Sequence, residues 1–154
     1  MNTTTLCNIL LIEDNPRDAE LTQRALKSGS PAHNLIWVKD GVQALEFLFG
    51  PEYPVGAKLL NKPNIIVTDL KLPKINGLEI VRRIKSDPEA KTIPVVMLTS
   101  SREKSDIVHC YELGANSYIV KPVDFDQFSH AIAQLGLYWL AVNQPPEITP
   151  TPAA

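Results

Sequence analysis

A chain of 154 residues with a formal net charge of −2 at pH 7 has the size of one domain. Its 15 basic residues form no run, which argues against a nucleic-acid or membrane surface and favours proteins or small anions as partners. Two cysteines without metal-ligand spacing, Cys7 and Cys110, and an amino-terminal segment without a signal-peptide or membrane-span pattern indicate a cytoplasmic protein with free thiols.

Short apolar runs alternate along the chain with longer segments of helical period, a pattern typical of βαβ units around a parallel sheet. The runs predict five strands, at 8–13, 34–39, 64–69, 93–99 and 116–121. Covering helices are predicted between them, including 18–28 and 78–86. Because the strands are almost continuously hydrophobic, we expect them to be buried on both faces. The predicted fold class is a doubly wound, flavodoxin-like α/β domain with a five-stranded parallel sheet in the order 2-1-3-4-5 and helices on both faces.

Two segments outside this repeat predict less regular structure. The stretch 49–64 carries three prolines and two glycines and is predicted to be an extended connection. The segment 125–142 is helical in period, but its end has more large apolar residues than one face needs, so part of it either meets a partner or folds back on the domain. The Pro-rich segment 142–154 is predicted to be a flexible tail, which leaves a domain at 1–141 with its core at 8–140 and no output domain.

Carboxylates stand at the ends of two predicted strands. Glu13 and Asp14 close the first strand and Asp69 closes the third. If these parallel strands are neighbours, all three carboxylates meet at the carboxyl edge of the sheet, where such folds bind ligands. Carboxylates this close repel one another unless a cation lies among them. Oxygen ligands are typical of Mg²⁺ rather than zinc, so the sequence predicts a magnesium site.

Two more strands end on groups that can bind phosphate. Thr99 closes the fourth strand and Lys121 closes the fifth. A hydroxyl can hydrogen-bond a phosphoryl oxygen, and an ammonium group attracts it as a point charge. Combined with the carboxylates and a metal, they describe a site for phosphoryl transfer in which Asp69 is the nucleophile and forms an aspartyl phosphate.

Taken singly, each of these residues also has a plain structural interpretation. Asp14 can be a helix N-cap, since the next helix begins nearby. Lys121 can be a solvated surface lysine, and Thr99 is a β-branched residue that strands favour. Asp69 can be a loop carboxylate, and Tyr118 can be an ordinary core or surface ring. Their combination at adjacent strand ends favours the functional interpretation.

The segments LLIEDNPRD, IIVTDLKLPKINGLEIVRRIKSD, VVMLTSS and GANSYIVKP together resemble the motif set of the two-component response-regulator receiver domain, over roughly residues 8–140. The resemblance implies that Asp69 accepts a phosphoryl group from a phosphohistidine on a sensor kinase. It implies that Mg²⁺ is ligated by Asp14, by Asp69 and by the backbone carbonyl of Lys71. Glu13 acts on the metal through a water molecule.

The same resemblance implies roles for three residues near the other strand ends. Lys121 pairs with the phosphoryl group, Thr99 is the switch hydroxyl, and Tyr118 is the aromatic residue that moves inward on activation. Family members often have a cis peptide bond before the proline at position 122. One departure is Glu13, where many receivers have an aspartate, and its longer side chain should still reach a metal-bound water.

A narrower resemblance rests on GPEYPVGAK, LPKINGLE and YWLAVNQPP, which are similar to segments of small, single-domain response regulators of cyanobacterial phytochrome-type histidine kinases. It implies a sensor histidine kinase of this type as the partner. A homodimer would form through the face of the fourth helix, fifth strand and fifth helix, or through the C-terminal helix. The sequence does not choose between dimer formation and kinase docking.

The resemblance implies a signalling receiver that is not a conventional enzyme, although it catalyses its own phosphorylation and dephosphorylation. Two alternative functions can be compared with it by the residues that each would require. A phosphatase of the haloacid dehalogenase type would need a second carboxylate two residues after the nucleophile, where this chain has Lys71. A receiver-like binding module that has lost phosphorylation would lack some of the acidic, hydroxyl and lysine positions, all of which are filled here.

Overall fold

The structure is a computed structural model and describes residues 7–29 and 33–146, so most of the predicted tail lies outside the described residues. Five parallel strands form one sheet in the order β2-β1-β3-β4-β5, which confirms the predicted topology. The strands are β1 (Ile9–Ile12), β2 (Leu35–Val38), β3 (Ile65–Thr68), β4 (Val95–Thr99) and β5 (Ser117–Val120). The helices are α1 (Pro16–Gly29), α2 (Gly41–Phe49), α3 (Gly77–Ser86), α4 (Lys104–Leu113) and α5 (Phe125–Leu137). A single 3₁₀ turn spans Ala90–Thr92, and a π-helical turn, Tyr138–Val142, continues α5.

The core lies on both faces of the sheet because successive strand residues point to opposite sides. On β1, Leu10 and Ile12 join the cluster beneath α2, α3 and α4, whereas Ile9 and Leu11 join the cluster beneath α1 and α5. The three central strands are fully buried, as predicted. The expectation of full burial is wrong for β2 and β5, which are half-buried because each is a sheet edge with one neighbour.

The connection from α2 to β3 contains no helix or strand, as the sequence predicts, and contacts to α2 hold it in place. The side-chain amide of Asn61 donates to the carbonyl of Phe47 at 2.7 Å, and the Tyr53 ring stacks on Phe49. The Tyr53–Pro54 peptide bond is cis. The Lys121–Pro122 bond is trans, so the family feature inferred at this position is absent.

Part of the apolar end of the last helix folds back on the domain, and part stays exposed, so contact with a partner remains a prediction. Trp139 and Leu140 fold back against the cluster beneath α1 and α5. Leu137 and Tyr138 are about half exposed, each at 48%, and Val142 is exposed. Within 7–29 and 33–146, no helix combines the length and hydropathy that crossing a membrane requires.

The cysteines are both buried free thiols, as predicted. Burial raises the pKa of Cys7 and of Cys110 to about 11 in each case. At neutral pH both side chains are therefore protonated and behave as small apolar groups.

Gly77 is expected to be essential for the loop that carries Asp69. A Cβ atom at this position would overlap the backbone carbonyl oxygen of Asp69 and lie 2.9 Å from the Cα atom of Leu70. Gly77→Ala should therefore lower the free energy of unfolding by about 3 kcal/mol, measured by urea denaturation. Gly56→Ala is the matched control, because no atom lies within 4 Å and only its φ of +62° opposes the change. It should cost about 1 kcal/mol, and equal losses in the two variants would contradict the predicted overlap.

Candidate functional site

The strand ends bring the predicted residues together at the carboxyl edge of the sheet. Glu13 directly follows β1 and Asp69 directly follows β3, and these strands are neighbours. Carboxylate oxygens of Glu13, Asp14 and Asp69 all lie within 4.8 Å of one another. Three carboxylates at this separation form a donor set of the size and hardness that suits a divalent cation.

Asp14 is available to this cluster because another residue caps α1. The side-chain oxygen of Asn15 accepts hydrogen bonds from the backbone amides of Arg17, at 2.9 Å, and Asp18, at 3.1 Å. The first amides of the helix are thus satisfied without Asp14. The alternative in which Asp14 is the N-cap is wrong, and its exposed carboxylate faces Glu13 and Asp69 instead.

The Lys121 ammonium group lies among carboxylates. Its Nζ atom donates to Glu13 Oε1 at 2.6 Å, to Asp18 Oδ2 at 2.9 Å and to Asp69 Oδ2 at 3.1 Å. An ammonium group has three N–H donors, so these bonds use all of them. The structural interpretation of Lys121 as a solvated surface lysine is therefore wrong, since only 11% of its side chain is exposed.

Asp18 is the site residue that the sequence did not predict. The sequence places it only at the start of the first helix. The available signal was its position in the first helical turn, four residues after Asp14, although Asp14 itself lies before the helix begins at Pro16. Without knowing where Lys121 reaches, that spacing alone does not separate Asp18 from other first-turn acids.

Burial dominates the electrostatics of Glu13. Burial raises the pKa of this carboxyl to about 7, and the hydrogen bond from Lys121 opposes the shift without cancelling it. For Lys121, burial disfavours the charged form, but the hydrogen bond to Glu13 and the charge of Asp69 outweigh it and raise the pKa above its usual range. The site thus keeps a permanent cation, and a second cation beside Glu13 would favour its charged form.

Both carboxylate oxygens of Asp69 are held. Its Oδ1 atom accepts from the backbone amide of Leu70 at 2.6 Å and from that of Lys71 at 3.4 Å, and its Oδ2 atom accepts from Lys121. This arrangement fixes the direction in which the carboxylate points. The predicted role of the Lys71 carbonyl as a metal ligand remains a prediction.

Thr99 and Tyr118 both contact Ser101, in the loop between β4 and α4. The Oγ1 atom of Thr99, which is buried, accepts from the Ser101 amide at 3.4 Å, and the Tyr118 hydroxyl donates to the Ser101 carbonyl at 3.0 Å. The Ser101 hydroxyl donates to Asp106 Oδ2 of α4 at 2.6 Å. Burial raises the pKa of Tyr118, so its hydroxyl stays a donor at neutral pH. Ser101 therefore links the strand ends to α4, a connection that the sequence analysis did not anticipate.

An open cavity of about 410 Å³ adjoins the site between α1 and α5. Its lining includes Asn15, Arg17, Asp18, Ser100 and Lys121. A phosphate-bearing molecule can therefore reach Lys121 from solvent without a change of fold.

Residues 9–133 match the family model of the response regulator receiver domain. The chain belongs to this family. Response regulator Rcp1 of Synechocystis sp. is 38% identical over 133 residues, which cover 86% of this chain and 88% of Rcp1. The resemblance read from the sequence motifs is confirmed.

Solved structures of receiver proteins share the fold. The phosphorylated cyanobacterial phytochrome response regulator RcpA has a TM-score of 0.81 at 36% identity, covering 93% of this chain and 100% of RcpA. The Mn²⁺-bound form of Rcp1 has a TM-score of 0.80 at 35% identity, covering 90% of this chain and 98% of that one. The bacteriophytochrome response regulator RtBRR is 50% identical with a TM-score of 0.68, covering 92% of this chain and 85% of RtBRR.

Removing the Lys121 charge should destabilise the metal-free protein. Lys121→Met leaves the buried Glu13 and the partly buried Asp69 without their ammonium partner, so we expect a loss of about 3 kcal/mol in the free energy of unfolding. A divalent cation added to the variant should restore part of that loss, because it supplies positive charge to the same carboxylates. The measurement is urea denaturation with and without the cation.

Lys74→Met serves as the control for this comparison. Lys74 pairs with Asp40 at 3.4 Å, but its side chain is 65% exposed. Exposed pairs contribute about 0–1 kcal/mol, so this variant should remain close to wild type in both buffers. Equal stability of the two variants would refute the central role given to Lys121.

Proposed function

We propose that the protein is the phosphoacceptor of a phytochrome-type two-component system and takes a phosphoryl group from a sensor kinase phosphohistidine onto Asp69, with Mg²⁺. The observation that carries this proposal is the position of Asp69 between two other carboxylates, Glu13 and Asp14, and the Lys121 ammonium group. Two similar structures support the phytochrome connection, since RcpA is a phytochrome response regulator and RtBRR a bacteriophytochrome response regulator.

In this proposal Asp14, Asp69 and the Lys71 carbonyl hold Mg²⁺, and Glu13 acts through a water molecule. The donor set fits, because the carboxylate oxygens lie within 4.8 Å of one another and the buried Glu13 gains from a nearby cation. The Mn²⁺-bound form of Rcp1 supports a divalent ion in a related receiver. When bound, Mg²⁺ supplies positive charge to the phosphoryl oxygens.

The residues of the chain position and neutralise the reacting groups. An oxygen of Asp69 bonds to phosphorus while the N–P bond of the phosphohistidine breaks, and the imidazole leaves with the bonding electrons. The Leu70 amide keeps the carboxylate oriented during this step. Lys121 then exchanges its bond to Asp69 for one to a phosphoryl oxygen. Such positioning and neutralisation let the chain catalyse its own phosphorylation. Dephosphorylation follows when water attacks the phosphorus atom, because the bond between the Asp69 oxygen and phosphorus then breaks and inorganic phosphate leaves.

Ser101 would transmit the effect of the phosphoryl charge on Asp69 to the loop before α4. The Thr99 hydroxyl, weakly bonded to the Ser101 amide, turns to the phosphoryl group, and Tyr118 leaves the Ser101 carbonyl and moves inward. Both changes act on the loop before α4. They would alter the face of α4, β5 and α5, where Val108 and Tyr111 are exposed. Protein contacts at this face, or at the exposed end of the C-terminal helix, would then carry the signal or form a homodimer.

Phosphorylation is tested by intact-protein mass after incubation with Mg²⁺ and acetyl phosphate. Wild type should gain the mass of one phosphoryl group only when Mg²⁺ is present, and Asp69→Asn should gain none. Asp126→Asn, which changes an exposed carboxylate in the first turn of α5, is the matched control and should behave like wild type. An unmodified wild type would favour the alternative of a binding module that works without phosphorylation.

Magnesium binding should be visible in the fluorescence of Trp37. Its indole nitrogen donates to the Glu13 carbonyl at 2.8 Å, so a cation at the carboxylate cluster changes the field at this ring. In a Trp139→Phe background Trp37 is the only tryptophan of the chain, and Mg²⁺ should produce a saturable change in its emission. Asp14→Asn should weaken the binding. The opposite variant, Trp37→Phe, should show no response, and a response there would argue for binding elsewhere.

A further inference from the structure

The Asp18 carboxylate, in the first turn of α1, binds Lys121 without belonging to the cluster that suits a metal. Its Oδ2 atom accepts from Lys121 Nζ at 2.9 Å. In the described part of the chain, the carboxylates close enough to share an ion are those of Glu13, Asp14 and Asp69. A metal at that cluster would therefore engage the other carboxylate partners of Lys121 and leave Asp18 to the lysine.

Asp18 is not needed for the structure of α1. The amides at the helix start are satisfied by the side chain of Asn15, and the carboxylate of Asp18 caps nothing. The hydroxyl of Thr22 bonds to the backbone carbonyl of Asp18, which does not depend on its side chain. What the carboxylate contributes is its contact with Lys121 and its charge.

Asp18 also stands nearest to the solvent among the partners of Lys121. Its side chain is 32% exposed, against 3% for Glu13 and 13% for Asp69. It lines the open cavity beside Lys121, and the lining of that cavity does not include Asp69. Because Asp18 and Asp69 bond the same ammonium group, an anionic donor that reaches Asp69 also comes close to the charge of Asp18.

We propose that Asp18 slows the phosphorylation of Asp69 as a positioning residue that acts through Lys121, an inference that rests on the phosphoacceptor function proposed above. All three N–H donors of Lys121 are occupied, so the lysine must release a carboxylate before it binds a phosphoryl oxygen. The negative charge of Asp18 keeps Lys121 bonded to the carboxylates, and it also repels the anionic phosphodonor. With acetyl phosphate as donor, an Asp69 oxygen bonds to phosphorus as the acyl O–P bond breaks, and acetate leaves with the bonding electrons.

The test compares initial phosphorylation rates of wild type and Asp18→Asn with Mg²⁺ and two donors, doubly charged acetyl phosphate and singly charged phosphoramidate. The amide keeps the shape and an acceptor oxygen but removes the charge. At low ionic strength Asp18→Asn should react with acetyl phosphate about three- to tenfold faster than wild type. The gain should be smaller with phosphoramidate and should shrink at high salt, because salt screens charges near the surface.

Two further variants separate charge at the site from other effects. Glu20→Gln removes the same charge from an exposed position of the same helix and should leave the rate unchanged. Asp18→Glu keeps the charge and should keep the slow rate. If Asp18→Glu reacts as fast as Asp18→Asn, packing rather than charge sets the rate, and that result would overturn the inference.

The two proposals fail in different ways. If wild type is phosphorylated and Asp18→Asn is no faster, this inference is wrong and the phosphoacceptor function stands. If wild type takes up no phosphoryl group from either donor, the phosphoacceptor function is wrong, and the role of Asp18 falls with it.

Discussion

Negative charges gathered at one sheet edge need a cation, and the chain supplies one from the most distant strand. Lys121 follows β5, two strands away from β3 and three from β1. At the usual spacing of strands these separations are about 10 and 14 Å, so only a long side chain can join them. Lys121 reaches Asp69 at 3.1 Å and Glu13 at 2.6 Å. A lysine at this strand end thus follows from the strand order.

The strand order in turn depends on a register that the core fixes on both faces. In β1 and β3 alternate residues enter different clusters, and a shift by one residue would exchange the two faces. The same shift would move Glu13 and Asp69 away from the edge. Close approach of α3 to the Asp69 loop adds a second constraint, because the amide of Gly77 donates to the Leu70 carbonyl at 2.8 Å. The carboxylate cluster is therefore a consequence of core packing as much as of local sequence.

The sequence predicted those features that depend on periodicity and on strand ends. Strand positions were predicted to within two residues, and the convergence of Glu13, Asp14 and Asp69 followed once parallel neighbours were assumed. Features that depend on the direction of a side chain were missed. Asp18 belongs to the site only because Lys121 turns toward α1, and Ser101 becomes a link only because the Tyr118 hydroxyl reaches its carbonyl. Neither direction is encoded in spacing.

In the proposed function, Lys121 takes part both in phosphoryl transfer and in signalling. The backbone amide of Lys121 donates to the Thr99 carbonyl at 2.7 Å, so the strand ends that carry the cation and the hydroxyl are directly bonded. Tyr118 lies in β5, three residues before Lys121. Its hydroxyl donates to the carbonyl of Ser101, which follows Thr99 by two residues. In the proposed function, a phosphoryl group that draws Lys121 and Thr99 toward Asp69 pulls on both sides of this junction at once. In that proposal the loop before α4 would have two arrangements that differ in which partner holds Ser101, and the charge at Asp69 would select between them.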